Sequence, residues 1–186
     1  RLKRDGSNIA PYLSLLKKKY LQHYLRIEKM VASVSPIFDT FVLAPNRLHP
    51  NTIRREWKQK DVPDMTFNAY QLSDGSLRFI CLAALLMQPE PPQTILIDEP
   101  ELGLHPLAIN KLCAMLKKVS SSSQIIVSTQ SVNLVDNFAP EDIIVADRKG
   151  NETVFCRLDG KDLEGWLKDY SMGELWEKNL VGGQPF

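Results

Sequence analysis

The chain has 186 residues, 44% hydrophobic and 24% charged, which suits a globular protein with a real core and excludes wholesale disorder. Lysine and arginine number 23 against 22 aspartates and glutamates, so the overall charge argues neither for nor against a nucleic acid or anionic membrane partner, and local patches must decide. No apolar run reaches the roughly 18 residues of a transmembrane helix and the amino terminus lacks a signal-peptide core, which argues against membrane insertion. The three cysteines, Cys81, Cys113 and Cys156, lie far apart among apolar residues. That pattern suits reduced core thiols in a cytoplasmic protein better than disulfides or a zinc site.

In chain order, apolar and aromatic residues recur at Ile9, Leu13, Leu16, Tyr20, Tyr24, Ile27, Val31 and Val34, always three or four apart, and predict one long helical arm. Ser7 or Asn8 is placed to cap it, Pro11 is tolerated in its first turn, and Pro36 stops it. Lys17, Lys18 and Lys19 on this arm, with Arg54, Arg55, Lys58 and Lys60 beyond it, are candidates for phosphate contact, although solvated faces carry such charges routinely. The pieces IFDTFVLA, TIRREW and MTFNAY (37–44, 52–57 and 65–70) predict a small antiparallel excursion, so residues 1–70 form a first region.

From residue 71 the pattern changes. SLRFICLAALLMQ (76–88) is apolar nearly all round and predicts a buried helix ended by PEPPQ, and TILID (94–98) follows as a short buried strand. A helix from about 106 to 119, the strand QIIVST (124–129), a short helix at 132–138, the strand DIIVAD (142–147) and its hairpin partner ETVFCRL (152–158) complete the series. Ser120, Ser121, Ser122 and Ser123 resemble a linker but span only one helix-to-strand connection. Strands alternating with helices imply an α/β fold, a largely parallel sheet flanked by helices over 71–186. Near the end, the helical spacing of Trp166, Leu167 and Tyr170 favours packing over docking.

Two carboxylates, Asp98 and Glu99, arrive together at the carboxyl end of the TILID strand, where parallel sheets place their ligands. Adjacent side chains on a strand point to opposite faces, so Asp98 is the candidate to hold a magnesium ion and Glu99 to orient and activate a water, a division suited to phosphate-ester hydrolysis. The plainer reading, a polar strand end opening a turn at Pro100, accounts for the proline but not for two acids after Ile-Leu-Ile. Upstream, Ser73-Asp74-Gly75-Ser76 is either an ordinary helix cap or the mouth of an anion site.

LSDGSLR (72–78), ILIDEPELGLHP (95–106) and IIVSTQS (125–131), in that order, resemble the signature motif, Walker B, D-loop and switch region of ABC-type ATPases. The likeness is to the RecF/SMC/OLD-like, AAA-21 type of ATP-binding protein, with looser matches in DGSNIAPYL (5–13) and WLKDYSMGELWEKNLVGGQP (166–185). The resemblance implies a P-loop NTPase fold, ATP and Mg²⁺ as cofactors, and an ATP-gated homodimer. In such a dimer the turn at Ser73, Asp74 and Gly75 faces the γ-phosphate held by the partner, with Arg78 a further charge there or simply a surface arginine. His105, in the D-loop position, contacts the opposing site, caps the helix at Pro106, or does neither. Gln130 stands where many relatives have a histidine, and it can donate a hydrogen bond but cannot become a cation.

No G-x-x-x-x-G-K-[ST] occurs in the sequence. The expectation is therefore the carboxy-terminal part of a longer ATPase, inactive alone, with DNA, RNA or an effector protein as further partners in DNA repair, defence or another nucleic-acid-linked process. The alternatives are a non-catalytic interaction module that keeps the fold and, less favoured by the long helix and the ELGLHP loop, a transporter nucleotide-binding domain.

Overall fold

The structure, a computed structural model, describes residues 1–46 and 52–183. The ends of the GGQP match, Gln184 and Pro185, lie outside that range. The chain divides into two compact units, Arg1–Val127 and Ser128–Phe186.

The first unit opens with α1 (Ile9–Lys19) and α2 (Leu21–Val34), so the predicted single arm is two helices broken at Tyr20, where φ is −138° and ψ 56°. The break costs little because Tyr20 still donates its amide to Leu16 and accepts the amides of His23 and Tyr24. The two helices pack on each other. Neither predicted cap forms: the Asn8 side chain turns back to accept the Lys3 amide at 2.8 Å and to donate to the Arg1 carbonyl at 2.9 Å. Three antiparallel strands follow, β1 (Phe38–Val42), β2 (Glu56–Gln59) and β3 (Thr66–Asn68), as predicted in kind. β2 starts later than TIRREW suggests because Ile53 instead bridges Pro45. Phe38, Phe41, Trp57 and Phe67 stack through this sheet, with centroids 4.7 Å apart for the first pair and 5.3 Å for the last. Glu28 of α2 ties the sheet down, accepting from Tyr24 Oη (2.6 Å), Thr40 Oγ1 (2.6 Å) and the Phe41 amide (2.9 Å).

The apolar run forms α3 (Asp74–Leu86), which buries Phe79, Ile80, Leu82, Ala83, Ala84 and Leu86 and packs on α1, α2 and α4 (Pro106–Val119). β4 (Thr94–Asp98) and β5 (Gln124–Ser128) are hydrogen-bonded neighbours joined by the α4 crossover, which makes them parallel. The buried strand predicted for TILID is only half buried: Ile95 is covered, whereas Leu96 is 72% exposed, with Ile126 of β5 at 49%. Burial alternates along both strands, so that every second side chain lies on the more exposed face.

In the second unit, α5 (Val132–Val135) is shorter than predicted and packs on α7 (Met172–Glu177), with α6 (Gly160–Leu163) between them in sequence. β6 (Ile144–Lys149) pairs with β7 (Glu152–Arg157) in the predicted hairpin. Among the described residues it forms a sheet with β7 alone. Gly150, at φ +65°, supplies the backbone that the first position of the two-residue loop requires. Every residue of β7 is exposed, so Cys156 does not lie in a core as predicted, while Cys113 is buried and Cys81 half-buried. Trp176 donates its indole N–H to the Gly183 carbonyl at 3.4 Å, whereas Trp166, expected to pack, is 49% exposed and touches Tyr170 at a centroid distance of 6.2 Å. Among the described residues no helix is long and apolar enough to cross a membrane.

Candidate nucleotide site

Ser73 sits before α3 with extended backbone (φ −66°, ψ 155°), and its Oγ accepts the Ser76 amide at 3.2 Å and lies 3.0 Å from Ser76 Oγ. It is a helix N-cap whose side chain stays exposed, beside an exposed Asp74 in the first turn. Helix N-termini of this kind favour anions through unpaired amides and the helix dipole. Gly75 is buried, and a Cβ built on it would fall on the carbonyl oxygen of Gly103. Its lack of a side chain thus lets the loop after β4 close onto the first turn of α3. Gly103 itself has φ +78°.

Asp98 ends β4 with its side chain exposed. Glu99 has already left the strand: its φ is +43°, the left-handed region that non-glycine residues rarely adopt. The opposite-faces argument therefore stops at Asp98, and the backbone turn, not strand alternation, aims Glu99. Arg78, one turn into α3, donates from Nη1 to the Glu99 carbonyl at 2.7 Å, and the Leu102 amide donates to the same oxygen at 3.2 Å. Sequence reading missed this contact because nothing in spacing reveals a side chain reaching from one element to the backbone of another.

His105 caps α4: Nδ1 accepts the Leu107 amide at 3.3 Å, with Pro106 in the first turn. Gln130 is exposed and belongs to the second unit. Beside it Ser131 donates its amide to Thr129 Oγ1 at 3.0 Å and caps α5 by accepting the Leu134 amide at 3.3 Å. The first unit thus brings together Gly75 with Gly103 of the loop after β4, and Arg78 with Glu99.

Among the described residues no group of three metal-ligating side chains converges. Magnesium needs no such cage, since it is commonly held by one or two carboxylates with water and substrate phosphates supplying the rest, and the exposed Asp98 carboxylate fits that donor set. The candidate basic contacts have ordinary roles as well. Lys17 lies over the Tyr24 ring at 5.1 Å and Arg54 pairs with Glu56 at 3.2 Å.

The sequence pattern of the family described as "AAA domain, putative AbiEii toxin, Type IV TA system" matches residues 6–136. The energy-coupling factor transporter ATP-binding protein EcfA of Methanocaldococcus jannaschii is 34% identical over 82 residues, 43% of this chain and 28% of that protein. The ABC transporter A family member 11 of Dictyostelium discoideum is 31% identical over 78 residues, 42% of this chain and 9% of that protein. The chain thus spans a small part of these relatives. In fold it resembles a structure from work on ATP-driven dimerization and DNA-stimulated activation of SMC ATPases (TM-score 0.60, 16% identity, 84% of this chain and 96% of that one). It also resembles the Smc head domain of Pyrococcus furiosus bound to the C-terminal domain of ScpA (TM-score 0.57, 18% identity, 89% of this chain and 44% of that one). Because the family pattern spans residues 6–136, well over half of the chain, the chain belongs to this family.

Proposed function

We propose that the chain supplies the signature turn, the acid pair and the switch segment of an ATP-gated dimer that binds and hydrolyses ATP with Mg²⁺ in the cytoplasm. In this reading the Ser73–Gly75 turn meets the nucleotide of a second subunit, Asp98 holds the magnesium ion, Glu99 orients and activates the attacking water, and Gln130 donates a hydrogen bond to the γ-phosphate. Bound Mg²⁺ would neutralise developing phosphate charge; the chain's own residues position and exclude water around it. The observation that carries the reading is the interlock of the signature helix with the acid-bearing strand end, through Gly75 against Gly103 and Arg78 on the Glu99 carbonyl. An ordinary capped helix beside an ordinary strand end needs neither contact.

The test uses the full-length protein. Glu99→Gln should abolish turnover while leaving ATP binding intact and should accumulate a dimer on size exclusion with ATP and Mg²⁺. A variant that stays monomeric with ATP bound would overturn the dimer. DNA, RNA or an effector protein is the proposed recipient of the motion, read by stimulation of turnover on its addition.

A second reading, a non-catalytic interaction module, is favoured by one set of observations: the hydroxyl of Ser73, the ring of His105 and the space at Gly75 each already serve a structural purpose. Absence of magnesium-dependent ATP turnover in the full-length protein would select it.

A further inference from the structure

Arg78 of α3 reaches the end of β4 at the Glu99 carbonyl, and the backbone there is unusual. Glutamate at φ +43° occupies a well that L-residues with a Cβ disfavour, so surrounding structure must hold it there. Two donors converge on its carbonyl oxygen, the Leu102 amide from within the turn and Arg78 Nη1 from α3. The amide contact belongs to the turn and moves with it. The arginine contact is anchored in a helix packed on α1, α2 and α4, so it fixes the turn to the body of the unit. Being charge-assisted and 2.7 Å long, it is the stronger of the two.

We propose that Arg78 is a positioning residue for Glu99: its guanidinium clamps the Glu99 carbonyl, holds the residue in its left-handed conformation and thereby aims the carboxylate. This rests on the reading of Glu99 as the group that activates water, and it assigns Arg78 to its own strand end and not to a phosphate. The signature helix and the catalytic acid of one chain are then tied by a single side chain, so a shift of α3 on meeting a partner's nucleotide re-aims Glu99.

The experiment compares Arg78→Ala and Arg78→Lys with wild type in the full-length protein, measuring kcat, KM for ATP and amide exchange of the peptide over residues 99–104. Because a misplacement of about 1 Å costs on the order of 10²-fold, Arg78→Ala should lower kcat by roughly 10- to 100-fold with KM within about twofold. Leu102 amide exchange should quicken, since the turn it closes is released, and Arg78→Lys, which keeps a cationic donor, should recover part of both. A raised KM with unchanged kcat would put Arg78 on the nucleotide and overturn the clamp; so would unaltered exchange. If wild type itself turns over no ATP, the hydrolysis reading fails, while the exchange measurement still decides whether Arg78 holds the turn.

Discussion

At Gly75 a methyl group has nowhere to go, because its neighbour is the backbone carbonyl of Gly103 and backbone cannot swing aside as a flexible side chain can. Gly75→Ala should therefore push the first turn of α3 or the loop after β4 out of place, at a cost of roughly 1–3 kcal/mol. Urea denaturation would show a lowered midpoint. Gly165 is the control: nothing lies within 4 Å of its would-be Cβ, so Gly165→Ala should leave the midpoint unchanged or slightly raised. An unchanged midpoint for Gly75→Ala would contradict the close approach. The sequence marks Gly75 as a place where something comes near, and an anion was the natural candidate from the motif. That the approaching group is a loop carbonyl distant in sequence could not be read from residue order, and the same holds for Arg78 and the Glu99 carbonyl. His105 was legible as a cap from its place before Pro106, yet only coordinates choose capping among its possible roles.

Elements were legible where periodicity and breakers agree, and less so where a break leaves no chemical mark. The run from Ile9 to Val34 keeps its spacing through Tyr20 and contains no glycine or proline at the break, so pattern alone reads one helix. What betrays the break in the structure is burial: Tyr20 is 42% exposed while Leu16 and Tyr24 on either side are buried. Ser120, Ser121 and Ser122 after α4, linker-like by composition, instead return their hydroxyls to the Lys117, Lys118 and Val119 carbonyls and so finish the helix. Glu28 does for α2 and β1 what no periodicity foretells, gathering two hydroxyls and an amide onto one carboxylate oxygen. Glu28→Ala should leave those donors without their acceptor in a partly buried place and cost about 2–4 kcal/mol. The check is a urea midpoint for Glu28→Ala against wild type, with Glu28→Gln expected between them because its amide oxygen can still accept. Equal midpoints for Glu28→Ala and wild type would show that water replaces the carboxylate.

For the whole molecule, composition foretold a folded chain with a core but not how unevenly it is covered. Motif order pointed to the α/β fold and to the family, whereas the exposure of Leu96 and Ile126 depends on what covers the second face of a sheet, which one strand's sequence does not state. The core of the first unit has a consequence for alkaline stability. Burial pushes the Cys113 thiol up to about 11 from an ordinary 9.0, and burial likewise raises the Cys81 thiol and the Tyr12 and Tyr24 phenols. For each group the folded pKa exceeds the unfolded one, so between the two values the unfolded chain sheds a proton that the native chain keeps. The unfolded state then binds fewer protons, and stability falls as pH rises. Below about pH 9 the contribution is fully present; from there to pH 11 Cys113 alone should remove on the order of 1 kcal/mol per pH unit. Urea midpoints measured from pH 7.5 to 10.5 should thus decline, and Cys113→Ala should flatten the decline even though it lowers the midpoint at neutral pH by leaving a small cavity. A decline equally steep in Cys113→Ala would assign the effect to Cys81 and the tyrosines, and a midpoint that holds or rises with pH would mean that these groups ionise as readily folded as unfolded.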